Sequence, residues 1–230
     1  MHLHTFIPSN KEGYEICSEC GSYHSVAAKS PKEIYEQGDY WTHENGRSKL
    51  SEQRWNLTET KTCGISKVEK ILQYIPEGIV LEIGANPGVL LELLMATGRE
   101  AYGIEPDPAL IGYLKDNSGG ATIIEGYFPD VFLEDRSNIF DCIVAMDVVE
   151  HAPDYDRFVR AAYRLLRPGG IFIFMSPIIK DGQYQEKDFK ADEHVWILSY
   201  NYANEYLNSI FREVKFDTWV LGHEIFINYK

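Results

Sequence analysis

From Ile65 onward the apolar residues change period in a regular rhythm. Ile65, Val68, Ile71, Leu72 and Ile75 recur at helical spacing, and Pro76-Glu77-Gly78 ends that helix. Ile79–Ile83 is then a short, nearly continuous apolar run, the pattern of a strand buried on both faces of a parallel sheet. The alternation continues with a helix over about 88–97 closed by Gly98, a strand at 101–105, a helix from Asp107, and strands at 121–124 and 140–146. A helix at about 154–166 leads into a strand Ile171–Met175; between them Pro168 stops the helix and Gly169-Gly170 make the turn. After a loop, a helix near 199–209 precedes two strands, 211–219 and 223–229, whose turn at Gly222 favours an antiparallel hairpin. The whole predicts an α/β domain with a mostly parallel sheet closed by that hairpin.

Up to about residue 62 the pattern differs. The segment is polar and aromatic, and its apolar content is too thin for a core of its own. Residues 1–62 are therefore expected to form an extension that leans on a main domain of 63–230. A chain of 230 residues accommodates that arrangement.

The net charge of −13 repels phosphate backbones and anionic membranes, and no cluster of Lys and Arg offsets it, so general nucleic-acid binding is not expected. Met1-His2-Leu3-His4-Thr5 lacks the layout of a signal peptide, and stretches such as Ile171–Met175 are too short to span a bilayer. Four cysteines at 17, 20, 63 and 142 do not make a disulfide framework in a chain this size, and Cys142, mid-strand, reads as a small buried apolar residue. These features place the chain in the cytoplasm by expectation.

The motif richest in chemistry is Val80-Leu81-Glu82-Ile83-Gly84-Ala85-Asn86-Pro87-Gly88, where a strand gives way to a helix. Such a turn needs residues that tolerate positive φ and let a ligand approach the backbone, which Gly84 and Gly88 do; Asn86 is the next best choice in its place. Glu105 closes the second strand, where a carboxylate can accept both hydroxyls of a ribose. These two features fit several nucleoside ligands. Three others disfavour a pyrophosphate: Glu82 puts a carboxylate beneath the loop, the Gly-x-Gly-x-x-Gly spacing is missing, and Pro87 removes a backbone donor.

With these blocks in order, the chain resembles the class I S-adenosylmethionine-dependent methyltransferases over about Ile65 to Lys230. The blocks are Val80–Leu90, Tyr102-Gly103-Ile104-Glu105-Pro106-Asp107, Phe140 through His151, and Leu165-Leu166-Arg167-Pro168-Gly169-Gly170. The resemblance implies a doubly wound, seven-stranded Rossmann-like sheet with one antiparallel strand, and S-adenosyl-L-methionine as cofactor. It implies that Glu82 and the backbone of Gly84, Ala85, Asn86 and Gly88 hold the methionine end, and that Glu105 holds the ribose. Pro106 and Asp107 would border the adenine with Gly126 and Tyr127, while Met146 and Asp147 would line the cofactor near its methyl group. Among subgroups the chain is similar to ubiquinone-pathway and sugar O-methyltransferases, which implies a small-molecule or sugar-like acceptor. Segments 31–60 and 176–200 and the final hairpin would build the acceptor side. A nicotinamide-dependent oxidoreductase and a non-catalytic binding module are the competing functions; loop spacing disfavours the first, and the intact loop and acids the second.

Two further groups are candidates. Asp147, Glu150 and His151 have the spacing i, i+3, i+4, so one helical turn sets them side by side, and His194 follows the fifth strand on a segment able to fold over the same mouth. A neutral imidazole of His151 or His194 there could take a proton from an attacking hydroxyl. The set also resembles that of metal-dependent O-methyltransferases, including small-RNA 2′-O-methyltransferases, in which such side chains hold a divalent ion. Here Asp147 stands where those have glutamate, and the same acid-His pair braces a turn in metal-free relatives. Separately, Cys17-Ser18-Glu19-Cys20-Gly21 forms a knuckle that presents two thiolates to a structural zinc. His2, His4, His24, His43 and Cys63 are the candidates to complete it; the alternative is a pair of ordinary thiols.

Overall fold

The computed structural model describes residues 4–35, 58, 66–132, 136–220 and 223–230. Three short strands come first: β1 (Phe6–Pro8), β2 (Tyr14–Cys17) and β3 (Tyr23–Ser25), followed by the short helix α1 (Pro31–Tyr35). The main domain then runs α2 (Lys67–Leu72), β4 (Ile79–Ile83), α3 (Val89–Ala96), β5 (Glu100–Glu105), α4 (Pro108–Asn117), β6 (Thr122–Glu125) and β7 (Phe140–Met146). It ends with α5 (Tyr155–Leu165), β8 (Leu166–Ile179), β9 (Trp196–Ser199), α6 (Tyr200–Asn208), β10 (Glu213–Val220) and β11 (His223–Tyr229).

Local chemistry sets these boundaries. Ser66 and Glu69 form a reciprocal capping box at α2, and Asp107, Asp154 and Ser199 accept from backbone N–H groups at the starts of α4, α5 and α6. In the sheet, alternate residues face opposite sides. Leu81, Ile83, Phe172, Phe174 and Phe226 enter one hydrophobic cluster with α5 and α6, while Val80, Cys142, Ile173, Met175, Ile225 and Ile227 enter another with α2 and α3. Cys142 is fully buried there, as its place mid-strand suggested.

The central sheet has the order β6-β5-β4-β7-β8-β11-β10, with β4 to β8 parallel and β11 antiparallel to both β8 and β10. This is the expected seven-stranded, doubly wound sheet. Strand β4 pairs with both β5 and β7, so the connections diverge on either side of it and leave a crevice at the carboxyl ends of these strands.

Two expectations change. Strand β8 is far longer than Ile171–Met175: Arg167-Pro168-Gly169-Gly170 lie within it, and its ladder with β7 shifts register between Phe140 and Cys142. Gly169, at φ 80°, absorbs the irregularity that reads as a turn in the sequence. At its other end β8 runs on to Ile179 and pairs in parallel with β9, a strand inside what reads as a loop. Strand β9 also pairs with β3, so the N-terminal meander β1-β2-β3 is stitched onto the main sheet by backbone hydrogen bonds.

Candidate active site

A cleft of roughly 790 Å³ opens at the carboxyl ends of β4, β5, β6 and β7, within the range of small-ligand sites. At one end its wall is Gly84, Asn86, Glu105, Pro106, Gly126 and Tyr127. Gly84 has φ 71°, and a Cβ there would come within 2.6 Å of Val148 Cγ2, so the sharp exit from β4 requires glycine. The N–H groups of Gly84 and Ala85 both bond Ile104 O at 3.0 Å, locking the loop to the end of β5. Asn86 is buried, and neither its Oδ1 nor its Nδ2 has a partner among the described residues.

Glu105 is 3% exposed and receives the Asp107 N–H at 3.1 Å. Burial pushes its carboxyl up to about 7. A buried carboxylate on a cleft wall is costly without donors, and a ligand with hydroxyls would supply them.

Four of the residues expected around the cofactor do not line the cleft. Glu82 lies on the α3 side of β4, beneath the loop; burial and then the Glu105 charge push its carboxyl well above the usual range, and its Oε2 has no partner among the described residues. Ala85 packs into the core beside Gly103. Gly88, at φ 84°, is the residue from which α3 starts. Asp107 is fully buried and spends Oδ1 on the Ala109 N–H at 2.9 Å as the cap of α4. All four shape the loops that carry the wall and are one layer behind it. Met146 and Asp147 do line the cleft, as expected.

At the other end the chain leaves β7 through Asp147, at φ 54°, and enters a short 3-10 turn at Val149–His151. This left-handed residue breaks the i, i+3, i+4 register expected for Asp147, Glu150 and His151. Asp147 turns toward Lys67, with which it pairs, and toward His223, whose Nδ1 is 3.8 Å away. Burial opposes its charge, but Lys67 and then His223 outweigh it and hold the carboxyl below its usual range.

His194 does join Glu150 and His151, and Asp147 drops out of the set: one ligand atom each from Glu150, His151 and His194 lie within 4.8 Å of one another. Glu150 is 2% exposed and accepts from Ser176 Oγ at 3.1 Å; burial, then the Asp147 charge, pushes it up to about 8. His151 Nδ1 is 3.0 Å from Glu193 O, and His194 Nδ1 is 2.7 Å from Asp188 O. A carbonyl only accepts, so Nδ1 carries the proton in both rings and each Nε2 is left as an acceptor. Burial holds both imidazoles neutral, lowering His151 and taking His194 down to about 3, with His151 as the next cause.

Lys67, Asp188 and His223 were not singled out from the sequence. They close the site through folding: His223 Nε2 lies 3.1 Å from Asp188 Oδ2. Of these, Asp188 and His223 lie in segments expected to build the acceptor side, 176–200 and the final hairpin.

Away from the cleft, Cys17 and Cys20 lie with His4 in a second group whose ligand atoms are all within 4.8 Å. His24 instead packs against Phe6 and Trp196 with its ring tilted to both. His2, His43 and Cys63 lie outside the described residues.

Fold and cleft define a doubly wound α/β domain with a cleft of small-ligand size at its switch point and acid-base side chains at the far end of that cleft. Residues 61–220, more than half of the chain, match the family described as a methyltransferase domain. The chain belongs to that family. It is 37% identical over 95 residues to a ubiquinone biosynthesis O-methyltransferase of Methylobacterium sp., a match covering 40% of this chain and 38% of that protein. A protein of the same name from Mesorhizobium japonicum is 35% identical over 98 residues, covering 41% and 39%. The chain thus spans about two fifths of the length of these curated relatives. Among solved structures, a Haemonchus contortus phosphoethanolamine N-methyltransferase with S-adenosyl-L-methionine aligns at TM-score 0.65 and 16% identity, over 86% of this chain and 48% of that one. An S-adenosylmethionine-dependent methyltransferase of Thermotoga maritima aligns at 0.58 and 18%, over 80% and 96%. These two share the fold.

Proposed function

We propose that this chain is an S-adenosylmethionine-dependent methyltransferase acting on an oxygen nucleophile of a small-molecule or sugar-like acceptor. The observation that carries the reading is a single cleft with two different ends. One is a glycine-turned loop beside a buried strand-end carboxylate, and the other is the Glu150–His151–His194 cluster.

The residues at the first end fit the cofactor. Glu105 is placed to accept ribose hydroxyls, which would return its carboxyl to the charged form. The amide of Asn86, without a side-chain partner among the described residues, suits a polar, amine-bearing tail. When bound, the cofactor supplies an electrophilic methyl group on sulfur. The chain's own work is then to align a nucleophile and exclude water.

At the second end, two neutral imidazoles offer Nε2 lone pairs next to a buried carboxyl group. His194, at about 3, is too weak a base to carry an acceptor proton alone. The donor set fits a divalent cation instead, because an Nδ1–H tied to a backbone carbonyl is the usual support of a metal-bound imidazole. Glu150, His151 and His194 would hold such an ion, and it would lower the pKa of an acceptor hydroxyl. This is what favours oxygen over nitrogen or carbon, which the same fold can also serve, and the names of the curated relatives agree with it.

Calorimetry with S-adenosylmethionine and its demethylated product tests the first half, and release of that product with a panel of catechols, phenols and sugars tests the second. His151→Ala and His194→Ala should each lower turnover by roughly 10²-fold while cofactor binding stays as in the wild type. Absence of cofactor binding to the wild type refutes the methyltransferase reading. Turnover untouched by both substitutions and by chelation refutes the role given to the cluster.

A further inference from the structure

We propose that His4, Cys17 and Cys20 form a zinc site that fastens the N-terminal meander to the edge of the sheet and so fixes the backbone that carries His194. The site is separate from the cleft and does not depend on the methyltransferase reading.

The β2–β3 turn has the shape of a metal knuckle. Cys17 N donates to Ser22 O at 2.8 Å and Gly21 N to Cys17 O at 3.0 Å, with Gly21 at φ 72°. That closed loop turns both thiols to one side, and neither is in a disulfide. Spacing alone left the further ligands open among five residues. The fold brings in His4, whose Nδ1 is 3.6 Å from Cys20 Sγ. The ring is held by its surroundings: its centroid is 4.6 Å from that of Tyr202, 5.3 Å from Phe6 and 5.7 Å from Trp196. Ser18 fixes the adjoining backbone, with N and Oγ donating to Thr5 O at 3.0 and 3.2 Å. Two thiolates and an imidazole, converging from two chain segments, are a borderline-soft donor set. They supply three of the four positions of a tetrahedral zinc ion.

The position of the site suggests its purpose. Among the described residues the meander has a small apolar cluster, Tyr14, Tyr23 and Ile197 with Ile16, Ile179, Phe189 and Ala191 packed against it. Yet it makes the contacts that fix the chain around His194. Tyr14 Oη donates to His194 O at 3.0 Å, and Ser25 N donates to Val195 O at 2.9 Å. An ion joining His4 to the knuckle locks β1 against β2 and keeps β3 on β9.

The test uses the full chain, prepared without a His-tag, in zinc-replete medium. About one zinc per chain should resist dialysis and be released by a mercurial that titrates thiolates. Because Glu150, His151 and His194 could hold an ion of their own, cobalt(II) exchange decides between the sites. A thiolate-to-cobalt charge-transfer band requires Cys17 and Cys20, and should persist in His151→Ala while disappearing in Cys17→Ser. His4→Ala, which leaves both thiols in place, should weaken zinc retention at least tenfold and speed amide exchange at Val195 and Trp196. Should Cys17→Ser fail to fold, the wild-type cobalt spectrum and the His4→Ala measurements stand on their own. The proposal is overturned by a wild type lacking thiolate-bound metal, or by His4→Ala retaining zinc as the wild type does.

Discussion

His223 should make the protein less stable as the solution becomes alkaline, at a pH where most chains are indifferent. Its ring is largely buried between two carboxylates, with Nε2 at 3.1 Å from Asp188 Oδ2 and Nδ1 at 3.8 Å from Asp147 Oδ1. Burial lowers its pKa, but the Asp147 carboxylate and then Asp188, to which Nε2 is hydrogen-bonded, outweigh this and raise it from 6.5 to about 9. The native state therefore holds its proton longer than the unfolded chain. The resulting stabilisation is complete below the unfolded value of 6.5 and is lost as pH rises through about 9. A rise of that size corresponds to roughly 3 kcal/mol. Asp147 is held down first by Lys67 and then by this same His223, so nothing is added for it here. Urea unfolding between about pH 6 and pH 10 measures it. Wild type should lose roughly 3 kcal/mol more across that range than His223→Gln, whose amide can donate one hydrogen bond but cannot titrate. Equal losses in the two proteins would mean that His223 is neutral in the native state and that the argument is wrong.

Glu105→Ala should weaken binding of S-adenosylmethionine by about 1.5–3 kcal/mol, the worth of hydrogen bonds to a charged group, with calorimetry as the readout. Gly84→Ala places a Cβ 2.6 Å from Val148 Cγ2 on a residue at φ 71°, and should cost on the order of 1–3 kcal/mol in chemical unfolding; an unchanged midpoint would show that the loop is not strained by a side chain.

The parts of the molecule legible in the sequence are those whose logic is local. Ile79–Ile83 and Phe140–Met146 announce themselves as buried strands, and α4 and α5 begin where the sequence puts them, after Asp107 and at about residue 154. The end of β8 was misread because Pro168 and the two glycines look like a turn, whereas the neighbouring β7 and the C-terminal residue hold them in line: Leu166 pairs with Phe140, and Lys230 N donates to Gly170 O at 2.9 Å. Strand β9 was missed since its four residues owe their form to partners far away in the chain, Tyr23 and Ile178 among them. In the cleft, one backbone angle at Asp147 decided which side chains meet. Residue type does not encode that angle, so the sequence brings Glu150, His151 and His194 together but adds Asp147, which the angle turns away.

Asp188 explains why so much of the second half of the site was hidden. Its backbone carbonyl orients His194, and its carboxylate holds His223. His223 in turn reaches Asp147, which Lys67 secures from the opposite side of the chain. Asp188 itself sits at the end of a 3-10 turn whose next residue, Phe189, packs on Tyr14 and Tyr23 of the meander. Five segments, from the N-terminal strands to the last hairpin, therefore converge on two imidazoles. Each link is an ordinary hydrogen bond or ring contact, of small individual worth and without a sequence signature. Their common effect is positional: with Nδ1 of both rings committed to backbone carbonyls, neither His151 nor His194 can flip to present the wrong nitrogen. The Gly84–Gly88 loop needs no such scaffolding, because a loop between a strand and a helix is positioned by its two neighbours. The Glu150–His151–His194 cluster is precise only if the N-terminal strands are docked, which ties the chemistry proposed at His194 to the integrity of residues that look in the sequence like an appendage.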